Sequence, residues 1–180
     1  MMPNRYEQLH LAVRQKQPTA ILEVGTWNGE RATHMLNLCP TAKYYGFDLF
    51  ETATAETDRI EFNCKKHHFR SDILQRLGGF DAELFLGNTR DTLKNFNKPV
   101  DFVWLDGGHS IETIRSDWEN IKRVLMPDAW VFFDDYFEGG GIDTTTIGCN
   151  SLIAELKHEI LPIKDWVIGG GTTQMVRVFP

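Results

Sequence analysis

The chain has 180 residues, 42% of them hydrophobic and 24% charged, with a formal net charge of −6. Those values suit one soluble globular domain, 1–180, with a real core. No basic run stands out, which argues against nucleic acid as a partner, and no apolar run approaches the roughly 18 residues of a membrane helix. The opening Met1 to Glu7 is too polar for a signal peptide. Cys39, Cys64 and Cys149 are odd in number and form no CxxC pair, so they read as reduced thiols in a cytoplasmic protein.

In chain order, Tyr6, Leu9, Ala12 and Val13 recur at helical spacing and predict a leading helix within 1–17, stopped by Pro18. A buried strand follows over Thr19 to Val24, then a turn from Gly25 to Gly29. Ala32, Met35 and Leu36 predict a helix over Glu30 to Leu38. The second strand is Lys43 to Asp48, and the polar stretch 51–79 reads as two helical pieces. The third strand is Ala82 to Leu86, the fourth Val100 to Leu105 and the fifth Ala129 to Phe133. Ile111, Ile114, Trp118, Ile121 and Leu125 mark an amphipathic helix between the last two. Residues 137–150 form a glycine-rich loop, expected to fold over an active site. A helix is expected over Leu152 to Ile160, then a hairpin pairing Asp165 to Ile168 with Thr173 to Phe179.

Strands alternating with helices imply a doubly wound parallel sheet with helices on both faces. In such sheets ligands sit at the carboxyl ends of the strands. The first strand ends in Glu23-Val24-Gly25-Thr26-Trp27-Asn28-Gly29. Its glycines allow a sharp turn and a close approach of backbone to ligand. Trp27 stands where a dinucleotide fingerprint has its second glycine, and Glu23 would face phosphates. Both favour S-adenosylmethionine, with its cationic sulfonium and ammonium groups, over NAD. Asp48 is placed to accept the ribose hydroxyls. Asn88 and Thr89 either contact adenine or cap the next helix. Asp106, Asp134 and Asp135 close the fourth and fifth strands. They read as a Mg²⁺ site, or as solvated loop acids. His109 is placed to take a proton near neutral pH, unless it only packs or caps.

Four motifs in order, Glu23-x-Gly25-x-x-x-Gly29, Gly46 to Glu51, Asp106 to Ser110 and Phe133 to Tyr136, resemble a class I methyltransferase. The resemblance is nearest to methyltransferase domain 24 and the macrolide sugar O-methyltransferases. It implies a Rossmann-like seven-stranded sheet of order 3-2-1-4-5-7-6 with the last strand antiparallel. It also implies S-adenosylmethionine as cofactor, and Mg²⁺ at Asp106, Asp134 and Asp135 in the metal-dependent members. The candidate cofactor contacts are Glu23, Gly25, Thr26, Trp27, Gly29, Asp48, Leu49, Asn88, Thr89 and Asp106; the candidate catalytic residues are Asp106 and His109. The sugar enzymes carry an acidic base where this chain has Gly108, so His109 stands in for it. The expected reaction is O-methylation of a small-molecule hydroxyl, by a monomer or a homodimer. The alternatives are a catalytically inactive protein of the same fold that binds the cofactor, and an NAD-dependent oxidoreductase.

Overall fold

The computed structural model describes residues 3–163 and 170–180. Helix α1 (Arg5–Lys16) starts at Asn4, whose side chain accepts from the Glu7 amide while Glu7 caps back onto Asn4. Leu9, Ala12 and Val13 are its buried stripe. Strand β1 (Ala20–Val24) follows, then α2 (Glu30–Leu38), β2 (Lys43–Asp48), α3 (Ala55–Ile60), α4 (Arg70–Arg76), β3 (Ala82–Leu86) and the short α5 (Thr89–Thr92). Strand β4 (Val100–Leu105) is buried at all six positions, as a central parallel strand covered on both faces must be. After α6 (Ile111–Ile121) come β5 (Leu125–Glu138), α7 (Asn150–Ile153), β6 (His158–Ile160) and β7 (Thr172–Val178).

The seven strands lie in the order β3-β2-β1-β4-β5-β7-β6. The first five run parallel, and β7 pairs antiparallel with both β5 and β6. Two cores cover the two faces. One packs α1, α2 and α4 through Leu9, Val13, Met35, Leu36, Ile73 and Leu77. The other packs α6 and α7 through Ile114, Trp118, Ile121, Leu152 and Ile153. No helix among the described residues is long and apolar enough to cross a membrane.

Three expectations need correction. The fifth strand neither starts at Ala129 nor stops at Phe133: it begins at Leu125, expected on the preceding helix, because Leu125 pairs with Val100 of β4 and α6 ends at Ile121. Pairing of Tyr136, Phe137 and Glu138 with β7 carries it on to Glu138, past a bulge at Asp134 and Asp135. The glycine-rich loop therefore starts at Gly139 rather than Phe137. The helix expected over Leu152 to Ile160 is one turn, α7, because 158–160 instead pair with the edge of β7. The spacing of Leu152, Leu156 and Ile160 fits a helix, but the open edge of β7 offers backbone partners that an isolated helix does not. The expected strand Asp165 to Ile168 lies outside the described residues.

Candidate active site

The parallel strands end together, and an open cleft lies over the ends of β1, β2, β3 and β4. The turn after β1 is set by backbone. Gly25 donates to the Phe47 carbonyl at 2.8 Å, and Asp106 donates to the Val24 carbonyl at 2.9 Å, so three strand ends are locked side by side. Gly25 has φ +88°, and a Cβ there would lie 1.9 Å from the Asp106 carbonyl oxygen. Only glycine fits.

Gly25, Trp27, Asp48, Leu49, Asn88, Thr89, Asp106 and His109 all line this cleft. Asp48 Oδ2 accepts from the Trp27 amide at 2.7 Å and Oδ1 from the Phe50 amide at 2.9 Å. Its carboxylate thus holds both loops and keeps lone pairs for a ligand. Asn88 caps α5 by accepting from the Arg90 amide at 2.9 Å, and still lines the cleft.

Glu23, Thr26 and Gly29 are not part of the cleft lining. Glu23 is fully buried. It accepts from the Tyr44 hydroxyl, and from Arg31 Nε at 3.4 Å. Thr26 Oγ1 lies 3.3 Å from the same Tyr44 hydroxyl. These residues build the wall behind the turn. Burial pushes the Glu23 carboxyl up to about 7, against the pull of Arg31 and Tyr44. The folded protein therefore holds this proton more tightly than the unfolded chain, whose ordinary value is 4.5. The stability that Glu23 contributes is complete below pH 4.5 and is lost as pH rises through about 7, a span worth roughly 3 kcal/mol. Glu23→Gln, compared with wild type by urea unfolding between pH 4.5 and 8, is expected to flatten that decline.

The three acids past β4 and in β5 converge as expected. Each, however, has a cation from its own chain. Arg31 Nη2 lies 2.9 Å from Asp106, Arg5 Nη1 2.8 Å from Asp134, and His109 Nε2 3.1 Å from Asp135. Asp135 sits at φ +56°, which turns its side chain toward His109 at the bulge. Burial alone would lower His109. Its hydrogen bond to Asp135 and the charges of Asp135 and Asp106 raise it to about 9. The imidazole is thus protonated at neutral pH, not ready to accept a proton as its sequence context suggests. Burial pushes Asp134 well above the carboxylate range, with Asp106 and Asp135 adding to it. Burial also raises Asp135, but the His109 hydrogen bond together with the charges of His109, Arg5 and Lys65 outweighs it and holds that carboxylate down.

Do these residues fit a metal? Asp106, His109 and Asp135 each bring one ligand atom within 4.8 Å of the others. Asp106 Oδ2, near Arg31 but out of hydrogen-bond alignment, and Asp134 Oδ2 are buried with no hydrogen-bond partner among the described residues. Buried carboxylate oxygens without donors suit a hard cation. Any such ion would compete with Arg5 for Asp134.

Sequence reasoning missed Arg5, Arg31 and Glu61, whose contacts span long stretches of chain. The loop 139–149 packs against the start of α6. Gly148 donates to the His109 carbonyl at 2.9 Å and Ile111 to the Thr146 carbonyl at 3.0 Å, so the loop stands beside the acids.

The sheet order, the antiparallel β7 and a glycine turn flanked by strand-end acids define a class I, S-adenosylmethionine-dependent methyltransferase fold. The family model Methyltransf_24, a methyltransferase domain, matches residues 22–136, and the chain belongs to that family. Uncharacterized protein R132 of Acanthamoeba polyphaga mimivirus is 21% identical over 156 residues, covering 86% of this chain and 69% of that protein. Among solved structures, the O-methyltransferase TomG of Streptomyces achromogenes, in complex with S-adenosylmethionine, superposes with a TM-score of 0.64 at 17% identity, over 96% of this chain and 78% of that one. The Bacillus cereus O-methyltransferase in complex with S-adenosylhomocysteine gives 0.65 at 20%, over 97% and 80%. An rRNA methylase from Streptococcus thermophilus gives 0.68 at 15%, over 100% and 99%. At these identities the likeness is one of fold.

Proposed function

We propose that the chain transfers the methyl group of S-adenosylmethionine to a hydroxyl of a small molecule. The observation that carries this reading is the joining of two features at one place. The cleft bounded by Gly25, Asp48 and Asn88 runs directly into Asp106 and His109. Asp48 would take the ribose hydroxyls, and the Gly25 turn would lie against the methionine portion.

In-line attack of the acceptor oxygen on the sulfonium methyl forms the O–C bond, breaks the S–C bond and leaves S-adenosylhomocysteine. The protein's part is chiefly to hold the two reactants in line. The acceptor hydroxyl gives up its proton to solvent, and His109, tied at Nδ1 to the Glu61 carbonyl and at Nε2 to Asp135, would stand beside it as a cation that favours the alkoxide. Asp106, Asp134 and Asp135 would hold a divalent cation, Mg²⁺ foremost, which when bound lowers the pKa of an acceptor hydroxyl. The loop 139–149, with positive φ at Gly139, Gly140 and Gly141, would close over the acceptor.

The test is transfer of labelled methyl from S-adenosylmethionine to a panel of sugars and phenols, with Mg²⁺ and with EDTA. The expected product is a methyl ether, formed more slowly under EDTA. Label found only in RNA, or in no acceptor while the cofactor binds, would contradict the reading.

A further inference from the structure

A strap crosses the cofactor cleft. After α3 the chain turns at Phe62, φ +53°, and Glu61, Asn63, Lys65 and His67 line the cleft. The strap is fastened to both walls. On one, the Trp27 indole Nε1 donates to the Lys66 carbonyl at 2.9 Å. On the other, Glu61 takes four hydrogen bonds from three residues, His109, Ser110 and Thr113. Its Oε1 accepts from Thr113 Oγ1 at 2.6 Å, and its Oε2 accepts from the Ser110 amide at 3.1 Å and Ser110 Oγ at 2.9 Å. Its backbone carbonyl accepts from His109 Nδ1 at 2.9 Å.

The surroundings are shaped for this carboxylate. A Cβ at Gly108 would lie 2.5 Å from Glu61 Oε2, so the glycine leaves the hollow that Glu61 fills. Arg90 Nε donates to Thr113 Oγ1 at 3.1 Å, which leaves the Thr113 hydroxyl proton for Glu61. An exposed strap gains little from apolar contact, and Phe62 and Phe69 on it face solvent. The polar fastening is therefore what keeps it down.

We propose that Glu61 is a positioning residue that holds the strap shut over the bound cofactor and fixes the ring of His109. The closure half rests on the S-adenosylmethionine reading; the His109 half does not. With the strap closed, Nδ1 of His109 is committed to the Glu61 carbonyl, and Nε2 is aimed at Asp135. Cofactor entry requires the Glu61 bonds to break, and closure after entry re-forms them. Trapping of the cofactor and orientation of His109 then occur in one step.

Two measurements test this on the full chain. Stopped-flow release of S-adenosylhomocysteine is expected to be about tenfold faster in Glu61→Ala and intermediate in Thr113→Val, which removes one donor and keeps the shape. Release at the wild-type rate in both variants would overturn the closure. In ligand-free protein, the imidazole ¹⁵N spectrum should show a hydrogen-bonded Nδ1 proton on His109 that disappears in Glu61→Ala. Its persistence would overturn the positioning role. A wild type that binds no S-adenosylhomocysteine would refute the cofactor reading and with it the closure, while the ¹⁵N spectrum would still decide the role at His109.

Discussion

Gly25→Ala is expected to abolish S-adenosylhomocysteine binding and to destabilise the protein by roughly 3–5 kcal/mol, since two separate costs add. The backbone at position 25 has φ +88°, a region closed to residues with a Cβ at little less than 1–2 kcal/mol. The new methyl would also overlap the Asp106 carbonyl oxygen at 1.9 Å and the Gly107 Cα at 2.8 Å, both backbone atoms that cannot swing aside. Relief requires the turn to part from the end of β4. That breaks the register between Val24 and Asp106 and opens the floor of the cleft. Thermal unfolding and calorimetric titration of the variant check both costs. Wild-type affinity in Gly25→Ala would mean that the cofactor does not rest on this turn.

The second large effect is expected at Arg31. Its guanidinium is shared by Asp106 at 2.9 Å, Glu23 at 3.4 Å, the Gly25 carbonyl at 3.1 Å and the Tyr6 hydroxyl at 3.3 Å. The Tyr6 ring covers it at 5.1 Å. Arg31→Ala strands two buried carboxylates without their cation, a loss of about 3–5 kcal/mol. For a domain of this size that corresponds to a fall in Tm of about 10 °C. The loss should be smaller at pH 5 than at pH 8, because Glu23, already raised to about 7, is then protonated and needs no partner. Arg31→Lys should recover only part of it, since one ammonium cannot reach acceptors arranged around a planar fork. Equal unfolding midpoints for Arg31→Ala and wild type at pH 8 would contradict this account of the site.

The strands and the cleft at their carboxyl ends were legible in the sequence because both rest on local signals. Apolar runs give β1 and β4, and the residue at each strand end follows from chain direction. Gly25, Asp48 and Asp106 were found in that way. What escaped is held by polar contacts between distant positions, for which sequence has no period. Arg5 reaches Asp134 across 129 residues, and Glu61 reaches Ser110 across 49. Arg31 lies in α2, whose pattern shows only that it is not part of the apolar stripe. The strand β6 was read as helix because its spacing satisfies both periods, and the edge of β7 decides between them. The three acids past β4 and in β5 are not left unpaired. Arg31, Arg5 and His109 supply the balancing charge, so the unpartnered Asp134 Oδ2 and the clustering of Asp106, His109 and Asp135, not net repulsion, carry the proposal for a cation.

The central claim is that the cleft over β1, β2 and β4 holds S-adenosylmethionine through Asp48. Calorimetric titration of S-adenosylhomocysteine into wild type and Asp48→Ala tests it most directly. The account predicts one site per chain in the wild type and affinity weaker by about tenfold to a hundredfold in the variant, the loss of one or two charge-assisted hydrogen bonds. No binding by the wild type, or equal affinity in Asp48→Ala, would contradict it.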